Sequence, residues 1–187
     1  MILKKKKYLW IRLYIILFYF IIKVYLIELK LSNDEESMNT LASRVNDLQT
    51  MSIYNEIKLL LNEDYYISAT NSKNNFMVNT ILIFQSDNGT TIDFQKSPKS
   101  RLFFDFSANT LNKKVIFRNI TFYNYSDDDE EINRLLTFTF PAESNNYQVI
   151  FENCIFEDIY YEMFNFRYSN LYFINNPQVY FNNCTFM

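Results

Sequence analysis

The sequence predicts an all-β chain wound as a parallel solenoid, with a short N-terminal capping helix and a hydrophobic leader. The main observation is one phrase that occurs three times, as VIFRNITFYN from Val115, VIFENCIFED from Val149 and VYFNNCTFM from Val179. The period is 34 and then 30 residues, a spacing typical of solenoids. No helical pattern and no two-residue hairpin signal separates equivalent strands. Successive copies are therefore expected to lie side by side as turns of one coil.

Phenylalanine recurs at two fixed positions of the phrase, which predicts two stacked columns. Equivalent residues of neighbouring parallel strands lie about 4.8 Å apart, so their rings can stack and bury a large apolar area. The two columns are Phe117, Phe151 and Phe181, and then Phe122, Phe156 and Phe186. The same register assigns to the interior Val115, Val149, Val179, Ile120, Cys154 and Cys184.

The alternation breaks once in each phrase, at Asn119, Asn153 and Asn183. This break predicts a tight corner between two short strands, with Asn in the left-handed conformation that it tolerates better than most residues. Asn has to serve at the corners because the chain has one Gly, Gly89. Stacked Asn side chains can also hydrogen-bond from coil to coil. The sequence therefore predicts an Asn ladder along the solenoid.

A second strand precedes each phrase, in the segments FFDF, TFTF and MFNF. These segments alternate with period 2, the pattern of a strand with one buried face. Sequence alignment places Phe104, Phe138 and Phe164 in one column and Phe106, Phe140 and Phe166 in the next. The polar residues between them are expected to form one outward column, Asp105, Thr139 and Asn165. An antiparallel β-sandwich remains the alternative fold.

Residues 1–30 are predicted to be a signal peptide or a signal anchor. A basic run at Lys4–Lys7 precedes ten apolar residues at 13–22, which is the layout of a secretory signal. The apolar run is shorter than the ~20 residues that span a bilayer, and no small-residue cleavage pattern follows it. If Arg12 and Lys23 snorkel, Tyr8–Ile27 would instead anchor the chain in a membrane. A helix without a targeting role is the third possibility.

The remaining chain divides into a polar linker and the solenoid. Residues 31–52 are predicted to be a polar, partly helical linker, because Leu41, Val45 and Leu48 recur at helical spacing. Residues 53–187 are predicted to form the solenoid, with a capping helix at Tyr54–Asn62. A coil that stops at Met187 leaves an open apolar cross-section, which solenoids normally cap. A truncated C-terminus is therefore expected, or a partner or second copy covering that end.

The V-x-F-x-N-[CI]-x-F phrase with its Asn corner resembles the right-handed parallel β-helix, or pectin-lyase-like, proteins. It is most similar to the repetitive, non-catalytic β-helix regions of large surface proteins. The resemblance covers about Ile53–Met187. It implies a secreted or surface module, and a possible carbohydrate or cell-surface protein as partner. Polysaccharide-cleaving members carry clustered Asp residues on an outer strand face, whereas the outward column predicted for this chain holds one acid, Asp105.

Composition argues against several classes of chemistry. The chain has no His, two Cys and no CxxC motif, so we predict no catalytic residues, no cofactor and no metal site. The acidic run Asp127–Glu131 lacks the spaced ligands and the Gly of a calcium loop, and is interpreted as a solvated insertion. No basic stripe accompanies the aromatic residues, so nucleic acid is not an expected partner.

Smaller features suggest modification and contact sites. A disulfide between Cys154 and Cys184 is left open, although two buried thiols are favoured because parallel Cβ vectors suit a disulfide poorly. Sequons occur at Asn88, Asn119, Asn124 and Asn183. Two of them, Asn88 and Asn124, are the expected glycan sites because they lie in predicted turns. Four tyrosines are candidates for stacking on sugars, Tyr123, Tyr125, Tyr160 and Tyr168.

The expected function is therefore a non-catalytic, secreted or membrane-tethered β-helix module that serves as a cell-surface scaffold or adhesin-like binding element. The alternative is a partial or degenerate polysaccharide-binding, lyase-like or hydrolase-like protein. The expected location is the secretory pathway, with the product either extracellular or anchored in a membrane. Self-association at the open C-terminal coil is a further expectation.

Overall fold

The computed structural model describes residues 12, 14, 26–51, 54–67, 74–97, 100–106, 113–126, 134–140, 147–160, 162–168 and 179–187. These residues form a parallel β-solenoid of about 4 turns with one short helix, which confirms the predicted fold class. In chain order the elements are β1 (Leu26–Leu31), α1 (Glu35–Thr50), β2 (Glu56–Leu61), β3 (Tyr65–Tyr66), β4 (Asn75–Val78), β5 (Ile81–Asp93), β6 (Leu102–Phe106), β7 (Lys113–Tyr125), β8 (Leu136–Phe140), β9 (Tyr147–Glu152), β10 (Ile155–Ile159), β11 (Phe164–Tyr168), β12 (Val179–Asn182) and β13 (Thr185–Phe186).

Two parallel sheets face each other across the core. Sheet A runs in the order β1, β2, β5, β7, β10 and β13, with β3 beside β5 and with β9 lying between β7 and β12. Sheet B runs in the order β4, β6, β8 and β11. Every strand pair described in the two sheets is parallel, so the antiparallel sandwich is excluded.

The interior is a set of stacked phenylalanine columns. The first predicted column is extended at its start by Phe84, and its successive ring centroids lie 5.1, 5.1 and 4.9 Å apart along Phe84, Phe117, Phe151 and Phe181. The second column, Phe122, Phe156 and Phe186, has spacings of 5.0 Å. A third column in sheet B consists of Phe76, Phe104, Phe138 and Phe166, with spacings of 5.0, 5.1 and 5.3 Å. One ring per coil thus repeats at the strand spacing.

The predicted alignment of the last sheet B strand was wrong by two residues. Phe166 stacks on Phe138, while Phe164 pairs with Leu136. A shift of two residues keeps the same side chains facing inward, so alternation alone could not reveal the error. The outward column consequently ends at Arg167, beside Thr139, and not at Asn165, which pairs with Thr137.

The predicted capping helix lies earlier in the chain than expected. Residues 56–61 form strand β2, not a helix, and β2 pairs with both β1 and β5. The segment EIKLLL fits both periods, since its apolar residues satisfy helical spacing and strand alternation. The helix is α1, in residues 31–52, the stretch that was predicted to be a partly helical linker. Hydrogen bonds from Ser32 and Ser37 lower the pKa of its N-cap residue Asp34 to about 2.

Helix α1 covers the first edge of sheet B. Its buried residues Met38, Leu41 and Val45 belong to the core cluster. Asn46 Nδ2 donates to the Asn75 carbonyl at 2.9 Å, and Asn46 Oδ1 accepts from the Met77 amide at 2.8 Å. Further along, Gln49 Nε2 donates to the Met77 carbonyl, and Gln49 Oε1 accepts from the Asn79 amide at 2.7 Å. These two side-chain amides thus make the hydrogen bonds to the backbone around β4 that a neighbouring strand would otherwise make.

The sheet also starts earlier than the predicted domain boundary. Strand β1, at Leu26–Leu31, overlaps residues 1–30, the range assigned to the leader, and it pairs with β2 along its whole length. The basic run and most of the apolar run of that leader lie outside the described residues. Among the described residues, no helix has both the length and the apolar character needed to cross a membrane.

The columns predict that Phe151→Ala lowers the free energy of unfolding by about 3–5 kcal/mol, because it removes a fully buried ring and leaves a cavity. Phe151 is 0% exposed and stacks on rings both above and below it. Urea unfolding followed by circular dichroism measures the change. The matched control is Tyr160→Ala, at a side chain that is 65% exposed. Equal effects of the two substitutions would contradict a core made of stacked rings.

Candidate binding face

The outer face of sheet B carries a groove. Its cavity of about 260 Å³ is lined by Asn75, Phe76, Met77, Phe103, Asp105 and Thr139. These residues come from β4, β6 and β8, so three coils contribute to one surface. The groove offers an apolar wall at Met77 and Phe103, together with amide, hydroxyl and carboxylate groups. This mixture suits a ligand that has both an apolar face and hydrogen-bonding groups.

An aromatic ring flanked by two arginines stands at this face. The Cζ atom of Arg101 lies 5.6 Å from the centroid of Phe103, and that of Arg167 lies 5.7 Å from it. Both distances are within the range of cation–π attraction. Arg101 immediately precedes β6, whereas Arg167 reaches across from β11. Sequence reasoning missed Arg167 because the two-residue shift in β11 had assigned Asn165 to this column.

Charge changes sign along the outward column of the groove. Met77, Asp105, Thr139 and Arg167 are successive partners across the four strands. Asp105 and Arg167 are therefore two strand spacings apart, roughly 10 Å. Both side chains are exposed. A ligand lying along the column would meet an acceptor, a hydroxyl and a donor in turn.

A buried lysine lies near the acidic end of this column. Lys113 is 1% exposed at the start of β7. Burial lowers the pKa of Lys113, and the negative charge of Asp105 opposes that shift. Lys113 therefore offers no accessible surface to a ligand on this side of the solenoid.

The three predicted corner asparagines form a ladder along sheet A. Their φ angles are 56°, 53° and 53° at Asn119, Asn153 and Asn183, all left-handed. Asn183 Nδ2 donates to Asn153 Oδ1 at 2.8 Å, and Asn153 Nδ2 donates to Asn119 Oδ1 at 3.1 Å. Asn119 Nδ2 then donates to the Ser86 carbonyl at 2.8 Å. This ladder supports the corners and lies outside the groove.

The coil before the first phrase, formed by β5, builds the same corner differently. Gln85 pairs with Arg118 and Thr90 pairs with Ile120, so residues 86–89 stand opposite the single residue Asn119. Gly89 adopts a φ of +88°, with nothing within 4 Å of the position that a Cβ would occupy. The longer corner explains why the sequence repeat is not visible in this coil, although Phe84 and Ile92 keep their columns.

A second column of left-handed residues was not predicted. Asn124 has a φ of 63° and Asp158 a φ of 53°, and each stands two residues after a stacked Phe. Asn124 Nδ2 donates to Asp93 Oδ1 at 3.0 Å. The sequence has Asn or Asp two residues after the second Phe of the phrase, at Asn124 and Asp158, but this holds for only two of the three phrases.

The two expected glycan sites differ in their surroundings. Asn88 is exposed in the four-residue corner. Asn124 lies in β7, not in an open turn, and its Oδ1 is buried without a hydrogen-bond partner. The Asn124 amide is also held by Asp93, so the folded chain shields this side chain. Glycosylation of Asn88 stays a prediction.

Both cysteines are free thiols on the inner side of sheet A. Cys154 is buried and Cys184 is half-buried. Burial raises the pKa of the Cys154 thiol to about 12. Each thiol donates weakly to backbone carbonyls, Cys154 to Phe117 at 3.5 Å and Cys184 to Phe151 at 3.4 Å. The pair fits the packing interpretation, with Cys154 acting as a small hydrophobic side chain.

The proposed sugar-stacking tyrosines do not form one surface. Tyr125 is 0% exposed and belongs to the core, so its assignment as an exposed residue was wrong. Tyr160 is 65% exposed, and Tyr123 is half-buried beside Asp158. The carboxylates of Asp158, Asp93 and Glu157 raise the pKa of Tyr123. The acidic run Asp127–Glu131 lies outside the described residues.

The Asn ladder predicts different costs for two substitutions at Asn153. Asn153→Gly removes two ladder hydrogen bonds but keeps the left-handed backbone accessible, so a loss of about 1 kcal/mol in unfolding free energy is expected. Asn153→Ala should cost about 1 kcal/mol more, because a Cβ disfavours the left-handed conformation. Urea unfolding of both variants provides the comparison. Equal losses would rule out backbone conformation as part of the role of Asn153.

The surroundings of the two expected glycan sites predict that Asn88 carries a glycan and that Asn124 does not. In a secretory host, Asn88→Gln should abolish a glycosidase-sensitive mobility shift of the secreted protein. Asn124→Gln should leave that shift unchanged, because the Asn124 side chain is shielded in the folded chain. Loss of a glycan in the Asn124 variant would contradict the shielding of the Asn124 side chain.

In the part of the chain that the structure describes, no three Cys, Asp or Glu side chains lie close enough together to hold a metal ion.

No family model, no curated protein and no solved structure matches the chain.

Proposed function

We propose that this chain is a non-catalytic β-helix module, secreted or membrane-tethered, that serves as a cell-surface scaffold or adhesin-like binding element. One observation supports the proposal above others. The inner positions repeat from coil to coil, whereas the outer face of sheet B combines Asn75, Met77, Phe103, Asp105 and Arg167 around a groove. A stacked interior supports an outer face whose residues are free to vary, as binding surfaces require.

We further propose a specific type of coil and a surface-protein role for this chain. The repeated phrase with its Asn corner supports a right-handed coil of the pectin-lyase-like type. A surface-protein role follows from the same resemblance. The leader residues 1–30 support entry into the secretory pathway, either as a cleaved signal or as an anchor. Retention of β1 in the fold requires that any cleavage occur before Leu26.

A second candidate function is carbohydrate binding by a partial or degenerate polysaccharide-active protein. The groove supports it, because sugars pack their C–H faces on aromatic rings and hydrogen-bond through their hydroxyls. Phe103 supplies the ring, while Asp105 and Thr139 supply polar groups at the same surface. The partner classes proposed for the module are thus a carbohydrate or a cell-surface protein.

Binding experiments on the full chain test both functions. The protein should be retained on intact cells or on an array of polysaccharides, and Phe103→Ala should reduce that retention at least tenfold if the ring supplies about 1.4 kcal/mol of binding free energy. The matched control is Tyr66→Ala, which removes an aromatic ring that is 51% exposed on β3 of sheet A, outside the groove.

The pattern of loss separates the two candidates. Retention on cells that resists enzymatic removal of glycans favours a protein partner. Retention on polysaccharides that is sensitive to Phe103→Ala favours carbohydrate binding. Release of reducing ends from a polysaccharide by the unmodified chain would contradict a non-catalytic role. Equal binding by the Phe103→Ala and Tyr66→Ala variants would show that the groove takes part in neither function.

A further inference from the structure

In the part of the chain that the structure describes, sheet A ends at β1, whose outer edge is unpaired. β1 pairs with β2 along all six of its residues, and no described residue pairs with the other edge of β1. At the same end of the solenoid, α1 covers the edge of sheet B through Asn46 and Gln49. An uncovered edge presents unpaired backbone groups that can accept another strand. Among the described residues, one sheet edge is thus covered and the other is unpaired.

Apolar burial is also incomplete at this edge. Ile27 and Leu29 face inward in register with Ile57 and Leu59. The β2 residues are 0% exposed, whereas Ile27 and Leu29 are only half-buried. One further strand beside β1 would extend the sheet and cover the remaining apolar surface. The core therefore favours an added strand with apolar residues at the matching positions.

The outward residues of β1 specify which strand fits. Glu28 and Lys30 are two residues apart on one face, and both are exposed. Glu28 already pairs with Lys58 of β2 at 3.5 Å. Cross-strand pairs of opposite charge stabilise a sheet, whereas like charges destabilise it. An antiparallel strand that places a cation opposite Glu28 and an anion opposite Lys30 would match both charges.

We propose that the free edge of β1 is an interface with β1 of a second copy of this chain. A two-fold axis through Leu29 makes the strand self-complementary. Glu28 then faces Lys30 of the second copy, and the symmetry generates the same pair again. Leu29 faces its own equivalent, and Ile27 faces Leu31 of the second copy. Closed two-fold interfaces of this kind are the commonest in homo-oligomers.

Charge reversal tests the register on the full chain. The unmodified protein should form a dimer in sedimentation velocity, with the fraction of dimer rising with concentration. Glu28→Lys or Lys30→Glu alone places like charges opposite each other twice, so the association constant should fall about tenfold or more. The double variant E28K/K30E restores both pairs with reversed charges and should recover dimerisation. Glu157→Lys, on sheet A near its opposite end, serves as the matched control.

Cysteine cross-linking provides a second measurement that does not depend on charge. Leu29→Cys lies on the two-fold axis and should form an intermolecular disulfide with its equivalent under mild oxidation with glutathione disulfide. Ile27→Cys faces Leu31 of the second copy and should not form one. Circular dichroism establishes that each variant is folded. A chain that stays monomeric at its highest soluble concentration, or a dimer indifferent to both charge reversal and the position of the cysteine, would overturn the proposal.

Discussion

Stacking of equivalent residues at the spacing of one strand is the constraint on which the rest of this structure depends. Phe117, Phe151 and Phe181 can share a column only if each coil places its Phe at the same height and on the same face. Strand pairing, ring stacking and the Asn ladder all require this one register. They therefore stabilise one another, and an error in any coil would disturb all three.

The same constraint explains how much of the fold could be predicted from the sequence. Columns whose residue type repeats in all three phrases can be recognised from the sequence, as for Asn119, Asn153 and Asn183. The capping helix was wrongly placed at Tyr54–Asn62, because EIKLLL fits two periods and only its pairing with β1 and β5 decides between them. The local pattern limits a segment to helix or strand, and pairing with distant strands decides which of the two forms.

The groove lies beyond sequence reasoning for a related reason. Its residues come from three strands, and Arg167, one of the two arginines beside Phe103, comes from a fourth. Asp105 was recognised as outward, but its neighbours depend on the register of β11, where a shift of two residues preserves the alternation. Inner positions repeat and can be aligned, whereas outer positions differ from coil to coil. The part of the molecule best suited to binding is thus the part with the weakest repeat signal.

The corner at residues 86–89 shows what the solenoid allows. Four residues stand where the next coil has one, and the columns on both sides continue without a shift. Length can therefore change at a corner while the two flanking strands stay in phase. Each corner is a position where a peptide could be grafted, or where evolution could add an exposed loop, and the cost would be confined to the turn itself.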